Sequence, residues 1–527
     1  MCLMARLPSE VLGNIFSLLP NATHDVSSLY QCTLVCRRWN SIANVVLWRK
    51  PVLTTKEAKD LCLAMIEENP LLASYIQEWP YESKSLSTDL LPYLPNLQNI
   101  GYMLARTLKP EKFKKSWHLR RIDHLDYCAT DGPGVFQRLV ILCPRLERLS
   151  IRINSLNEVS DFTEWMSIEK VGSLKYLKVI NSEYGVGENQ AHFIRGFTSK
   201  LPNLQSLEIE SYTFNGHETD GLSRNCPRLD SLSIVTNSLA QYQINCIANE
   251  FANGVGKRIT RLQLSVARTS KTPLSLVRVF TSLKALSELS LHRFELDDDS
   301  LESLASCTQR TLTTLKLGLI SPSSSEYFFY QRSVELWENF FAGIADSLVE
   351  VTFNESFGNF RDMISGSVAK YCTQLRKLTV KHHEDNFVCP IVRGCGKSLR
   401  YLEYSECFVT ENALSTIFDC TLGLESLIIM EHKHNAHRPK ANPLRFQDFM
   451  GRSGSTLRHL TMTGIEVEDS SVSDIEKYGC RLNSLSLKRI NSFRSENSII
   501  KELRLARPNL RSIHIELVKP WENQRNA

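Results

Sequence analysis

The sequence is most informative at first through what it lacks. No run approaches the roughly 18 apolar residues that cross a bilayer, so no membrane-spanning helix is expected. No Cys-x-x-Cys pair occurs among the fifteen cysteines, which excludes an ordinary cysteine-rich zinc site. Their count is odd and their spacing irregular, so a disulfide framework is not expected either. Charge of one sign is also missing: 62 basic residues against 57 acidic ones leave a formal charge of +5 over 527 residues. That balance points to neither nucleic acid nor an anionic membrane as partner. The first residues, MCLMARLPSEVLGNIFSLL, are interrupted by Arg6, Pro8 and Glu10 and do not read as a signal peptide or anchor. The last four, QRNA, carry no prenylation cysteine. The expected compartment is therefore reducing: cytoplasm, nucleus or both.

What is present is an ordinary globular composition, 42% hydrophobic and 23% charged, on a chain long enough for three or four domains or one repeat array. Cys32, Cys36, Cys143, Cys226, Cys372 and Cys480 sit in apolar periodic segments and are expected to act as small buried hydrophobes. Residues 1–50 read as three short helices. Leu7, Val11, Leu12, Ile15, Phe16 and Leu19 recur at helical spacing, with Pro8 suited to the first turn and Glu10 to the positive end of the helix dipole. Pro20, Asn21 and Asp25 break this helix. A second is expected from a Ser27 or Ser28 cap, carrying Leu29, Cys32, Val35, Cys36 and Trp39, and a short third segment ends at Val45 to Arg49.

Residues 51–92, which include TTKEAKDLCLAMIEE, are expected to form a helical linker. From 93 to 519 one motif returns: Leu-x-x-Leu-x-Leu with apolar variants, starting at Leu97, Ile122, Leu146, Leu174, Leu204, Leu229, Ile259 and Leu286. Further copies start at Leu312, Leu348, Leu375, Leu399, Leu424, Leu457, Leu482 and Leu510, about 28 residues apart on average, within the leucine-rich-repeat range. The final Leu-x-Leu has the period of a half-buried strand, and some twenty residues return the chain to the next. One unit cannot bury its own apolar face, but stacked units can. The expected fold is α/β: a three-helix N-terminal module, then a curved solenoid of about 16 repeats with a parallel inner sheet, then a polar tail over 520–527.

The N-terminal residues Leu7-Pro8, Glu10-Val11-Leu12, Ile15-Phe16, Leu29, Cys32, Val35-Cys36-Arg37-Arg38-Trp39, Ile42 and Leu47-Trp48-Arg49 resemble an F-box. With the repeats, nearly the whole chain resembles an F-box protein with leucine-rich repeats. The connection Pro20 to Ser28 is a few residues longer than that family shows. The resemblance implies binding to a Skp-type adaptor, and through it to the cullin scaffold of an SCF-type ubiquitin ligase, with the repeats presenting a protein substrate. It assigns the adaptor contact to Leu7, Pro8, Val11, Leu12, Ile15, Phe16, Leu29, Val35, Cys36, Trp39, Leu47 and Trp48. A ligase that is itself catalytic is not expected, because the Cys-x-Asp sequence of bacterial repeat-containing ligases is absent. No catalytic residue, metal or cofactor is expected. The alternative function is a non-degradative scaffold.

Residues between the buried leucines should face the inner surface. Two groups there look locally basic: Arg148, Arg152 and Lys178 beside Tyr176, and Lys377 with Lys381 beside Tyr401. Glu208 and Glu210 limit the first group to one end. Two longer repeats carry insertions, one with the aromatic run Tyr327 to Tyr330, which reads either as a target anchor, with Tyr327 and Phe328 as the candidates, or as a helix face tucked beneath the loop. The other holds His432, His434 and His437, read as a solvated polar loop rather than a metal site. His382, His383, Cys389 and Cys395 lack zinc spacing and read as a loop plus a repeat turn. Gly394 to Ser398, GCGKS, resembles half a phosphate loop, but Ile391 stands where the motif needs its first glycine.

Overall fold

The structure is a computed structural model of the 527-residue chain. It describes Leu12 and residues 34–51, 56–78, 94, 96–100, 124–128, 143, 145–153, 171–181, 187–268, 274–294, 296–318, 327–354, 361–431, 439–492 and 494–518. The chain forms two compact units, Met1–Asn237 and Ser238–Ala527.

In the first unit the strands are β1 (Asn99–Ile100), β2 (His124–Cys128), β3 (Arg148–Ile153), β4 (Tyr176–Asn181), β5 (Ser206–Ser211) and β6 (Ser231–Thr236). Each pairs with the next in parallel. The second unit holds β7 (Arg261–Val266), β8 (Glu288–His292), β9 (Thr314–Gly318), β10 (Glu350–Phe353) and β11 (Lys377–Lys381). It continues with β12 (Tyr401–Cys407), β13 (Ser426–Glu431), β14 (His459–Glu468), β15 (Ser484–Asn491) and β16 (Ser512–Leu517), again parallel and in sequence order. Every strand begins two residues after one of the expected repeat starts. Both units are α/β leucine-rich-repeat solenoids.

The strands form because alternate residues have somewhere apolar to go. In β4, Leu177 and Val179 are buried while Tyr176, Lys178 and Ile180 are half-exposed. In β11, Leu378 and Val380 are buried beneath Leu375, and Lys377 lies on the other side. Each fully buried Leu or Val contributes about 1.5–3 kcal/mol. The return segments supply the opposite wall. The helix Glu411–Cys420 starts on a Thr410 cap that accepts from Asn412 and Ala413 N–H, and it buries Ala413, Leu414, Ile417 and Phe418 at helical spacing. Phe418 meets Phe446 of the next helix, Pro443–Ser453, edge-on with centroids 5.5 Å apart.

Backbone hydrogen bonds join the repeats where the strands begin. In most of the described repeats two successive N–H groups donate to one carbonyl of the preceding repeat. Lys175 and Tyr176 donate to Glu147 at 2.8 and 3.0 Å, and Arg400 and Tyr401 donate to Arg376 at the same distances. The pattern starts earlier than the motif. Gln77 and Glu78 donate to Arg49 at 2.9 and 3.0 Å, and Gln98 donates to Gln77 at 2.7 Å. The segment expected to be a linker therefore holds two helices, Lys56–Glu68 and Pro70–Tyr75, followed by a first repeat-like rung. Ile76 takes the place of the leucine there and is buried.

The residue five positions after the first strand residue, just past β8 and β11 but inside β12, β14 and β15, is left-handed in several repeats. Arg293, His382, Glu406 and Arg489 have φ of 60°, 59°, 57° and 96°, and Gly464 has 84°. Only at Gly464 is glycine required as well by space, because a Cβ there would lie 2.6 Å from Cβ of Glu431. Such residues turn the chain out of the sheet, and register shifts follow in β12, β14 and β15.

Several expectations are corrected. Leu34 and Val35 form a turn, Cys36 is the N-cap, and one helix runs from Arg37 to Arg49. Trp39 and the third segment thus share a helix, since no Pro or Gly interrupts it. Cys36 and Cys480 are exposed, each sitting at a helix boundary, whereas Cys143, Cys226 and Cys372 are buried as expected. Gly394 to Ser398 closes the helix Asp385–Cys395, with Cys389 and Cys395 inside it and not in a loop. A Cβ on Gly396 would meet the Val392 and Cys420 carbonyls at 2.5 and 2.6 Å, so this glycine allows close repeat packing. His432, His434, His437, Cys32 and the 520–527 tail lie outside the described residues.

Candidate binding surfaces

At the N-terminal end, Leu12 and Ala43 form a small core, with Trp39, Ile42, Val46 and Leu47 packed half-buried against it. Leu12 is fully buried within the chain itself, so it supports the module and is not available to an adaptor. Trp39 and Leu47 are largely engaged in the same core, and Trp48 is half-buried. The expected contact residues Leu7, Pro8, Val11, Ile15, Phe16 and Leu29 lie outside the described residues. Of the others, Val35 is 60% exposed, and Leu34 and Val45, not singled out from the sequence, are 62% and 40% exposed. Apolar side chains this exposed in one small module are candidates for a partner. The sequence did not single out Leu34 because Val35 beside it also fits helical spacing, while in the structure Leu34 and Val35 form the turn before the helix.

On the sheet of the first unit, Arg148, Arg152, Tyr176 and Lys178 all point away from the buried leucines. They do not form a free basic patch. Lys178 Nζ lies 2.6 Å from Glu208 and 3.2 Å from Glu210, and the Tyr176 hydroxyl donates to Glu208 at 2.6 Å. Arg148 stacks over the Tyr176 ring at 4.5 Å. Burial alone would lower the Lys178 pKa, but hydrogen bonds and charge from Glu208 and Glu210 outweigh it and raise the value. The physical reason is register: Lys178 and Glu208 are direct partners on adjacent strands. The acidic residues expected only to bound the patch pair with its lysine.

The second group behaves the same way. Lys377 lies 3.2 Å from Glu350 and Lys381 3.3 Å from Glu403, while the Tyr401 hydroxyl donates to Glu403 at 2.9 Å. Lys377 also sits over the Tyr401 ring at 5.3 Å. Both faces are mixed-charge ladders. Of the two readings of the aromatic run, the backbone takes the helical one: Tyr327 and Phe328 open the helix Tyr327–Ile344.

His382 and His383 diverge. His382 is exposed and lies 3.0 Å from Glu406 of the next repeat, whereas His383 is buried and stacks on Phe387 at 4.1 Å. Among the described residues no group of three or more His, Cys, Asp or Glu is placed to hold a metal ion. Burial pushes the thiols of Cys143, Cys372 and Cys395 up to about 12, which keeps them protonated and unreactive. Among the described residues no helix is long and apolar enough to cross a membrane.

Residues 4–54 match the family model of F-box-like domains. The chain carries an F-box-like domain ahead of its leucine-rich repeats. Two solved structures are similar over long spans. A crystal structure of the yeast Rad7 and Elc1 complex aligns over 88% of this chain and 92% of that one, at 13% identity and a TM-score of 0.31. The leucine-rich repeat-containing protein LegL7 from Legionella pneumophila aligns over 56% of this chain and 97% of its own, at 13% identity and a TM-score of 0.37. No curated protein matches the sequence.

Proposed function

We propose that this chain is a substrate-recognition subunit of an SCF-type cullin-RING ubiquitin ligase. The F-box-like domain binds a Skp-type adaptor, which links it to a cullin, and the repeats hold a protein target. The match over residues 4–54 carries this reading. The exposed Leu34 and Val35 supply apolar surface for the adaptor, and a module of some 50 residues gains stability from such a partner. In this reading the chain has no catalytic residue or cofactor, works in cytoplasm or nucleus, and contributes proximity by keeping a target beside a ubiquitin-loaded enzyme. The Arg49 carbonyl, which receives the first rung of the repeats, suits that role because it continues the F-box-like helix directly into the solenoid.

The test is adaptor capture by the full chain. Replacing Leu34 and Val35 by Ser should abolish pull-down of a Skp-type adaptor and co-purification of a cullin, without changing the melting of the repeats. Replacing Leu7 and Pro8 by Ala should weaken capture likewise. Undiminished capture by both variants would count against the assignment.

A further inference from the structure

The edge of the second unit where β11–β16 begin carries a row of basic side chains, several of which folding does not use. The residue just before each strand supplies the carbonyl of the backbone ladder and turns its side chain outward. From β11 to β16 these are Arg376, Arg400, Glu425, Arg458, Asn483 and Arg511, and all four arginines are exposed. The turns just upstream add exposed Lys397 and Arg481. The corresponding residues before β3–β6 are Glu147, Lys175, Gln205 and Asp230, and there Lys175 pairs with Glu147 at 2.8 Å.

Part of this basic edge has a structural duty. The helices end at this edge, where their dipoles favour positive charge. Arg452 donates to the Phe418 and Asp419 carbonyls at 2.6 and 2.8 Å, and Arg400 donates to those of Leu422 and Gly423, both at 3.1 Å. That leaves Arg376, Lys397, Arg481 and Arg511, none of which has an ion pair or side-chain hydrogen bond among the described residues. Arg458 has only a loose pair, 3.9 Å from Glu425. Arg376 and Arg400 are neighbours, joined by a 2.8 Å backbone bond, although like charges side by side on adjacent strands are unfavourable.

The spacing narrows what could lie here. Arg400, Arg458 and Arg511 stand on every second strand, so they are about 9.6 Å apart at ordinary strand separation. A polyproline II segment rises about 3.1 Å per residue with three residues per turn, which repeats one side every 9.3 Å or so. Carboxylates on every third residue of such a segment would meet these three arginines in turn, Arg400 through Nε and Nη2, since its contacts with the Leu422 and Gly423 carbonyls use Nη1 alone. Glu425 and Asn483 fall between them. A nucleic acid, with phosphate at every nucleotide, would have to place charge against Glu425, whereas a peptide leaves neutral residues there.

We propose that the strand-entry edge of β11–β16 binds an acidic, proline-rich protein segment in polyproline II conformation, with Asp or Glu at every third residue. This deepens the reading that the repeats hold a protein target and rests on it. Adaptor capture tests the other end of the chain, so the two can fail separately.

The experiment measures binding of fluorescent synthetic peptides to the full chain. A peptide of four Glu-Pro-Pro units should bind at least ten-fold tighter than four Glu-Pro-Pro-Pro units, which carry the same charge in the wrong spacing. Its affinity should fall with salt. Arg458→Gln with Arg511→Gln should lose at least ten-fold, while Arg145→Gln with Arg228→Gln, at exposed turns of the first unit, should not. Equal affinity for the two spacings would overturn the proposal. So would a single-stranded DNA oligomer that binds more tightly than the peptide and loses affinity in the same double variant. If that variant melts early, the comparison of spacings on the unaltered chain decides alone.

Discussion

The sheet face of β3–β5 and the strand-entry edge of β11–β16 both gather basic side chains, but only the first neutralises them. On β4, Lys178 lies directly opposite Glu208, so register brings acid to base within 2.6 Å. At the edge, the same ladder position is occupied by arginine in four of six repeats, with a single Glu425 among them and two arginines, Arg376 and Arg400, side by side. Parallel in-register stacking transmits whatever stands at one repeat position straight to its neighbour. Alternating signs give a self-satisfied face, and repeated signs give a surface that needs something else.

That comparison supposes that outward residues are free of folding duty while inward ones carry it. The strongest way to break it is in β11. Leu378→Ala should cost about 2–5 kcal/mol and Lys377→Ala less than about 0.5 kcal/mol in a denaturant titration. Equal costs would mean that the two sides of the strand are not distinct.

Glu218 sharpens the contrast with Glu208. It is fully buried, with both carboxylate oxygens 3.2 Å from the Asn215 N–H, and lacks the lysine that Glu208 has. Burial raises its pKa to about 7, against opposing backbone hydrogen bonds and the charge of His217. A raised carboxylate pKa means that the folded state binds the proton more tightly. The associated stability is full below the unfolded value near 4.5 and is lost as pH rises through about 7, at most about 3 kcal/mol. Glu218→Gln should remove that dependence from melting curves between pH 4 and 8. An unchanged pH profile would show that Glu218 is ionised in the fold.

Glycines test whether repeat packing itself is as tight as the ladders imply. Gly396→Ala should destabilise by about 1–3 kcal/mol, because the new methyl meets two carbonyls. Gly451→Ala, in a helix with nothing within 4 Å of the new methyl, should stabilise by about 0.5–1 kcal/mol. Equal shifts in melting temperature would refute the close approach at Gly396. The smallest effect is expected at the charges. Lys178→Ala should cost under about 1 kcal/mol and less at high salt, as for a partly exposed ion pair. An effect indifferent to salt would point to packing of its methylene stem instead.

Much of the repeat region was legible. All sixteen strand starts follow from the leucines, since a strand buries alternate residues and the motif spells out which. The edge was legible too, because Leu-Arg recurs at Leu375-Arg376, Leu399-Arg400, Leu457-Arg458 and Leu510-Arg511, with each arginine one position before the first residue of its strand. The rung at Gln77 was hidden because Ile76 stands alone without the Leu-x-Leu that follows elsewhere. The helix start at Arg37 was hidden because Val35 and Cys36 also fit helical spacing.

The sequence by itself determined the repeat period, the buried side of each strand and the F-box-like pattern at the N-terminus. Those depend on the order of apolar residues along the chain. Tertiary structure decided which charges find each other. Lys178 and Glu208 are 30 residues apart in sequence and 2.6 Å apart in space, a pairing set by strand register and side-chain reach. It also decided that Leu12 closes a core against Ala43 while Val35 stays in solvent. Both read as apolar positions of one motif, and only the path of the chain between them separates support from surface.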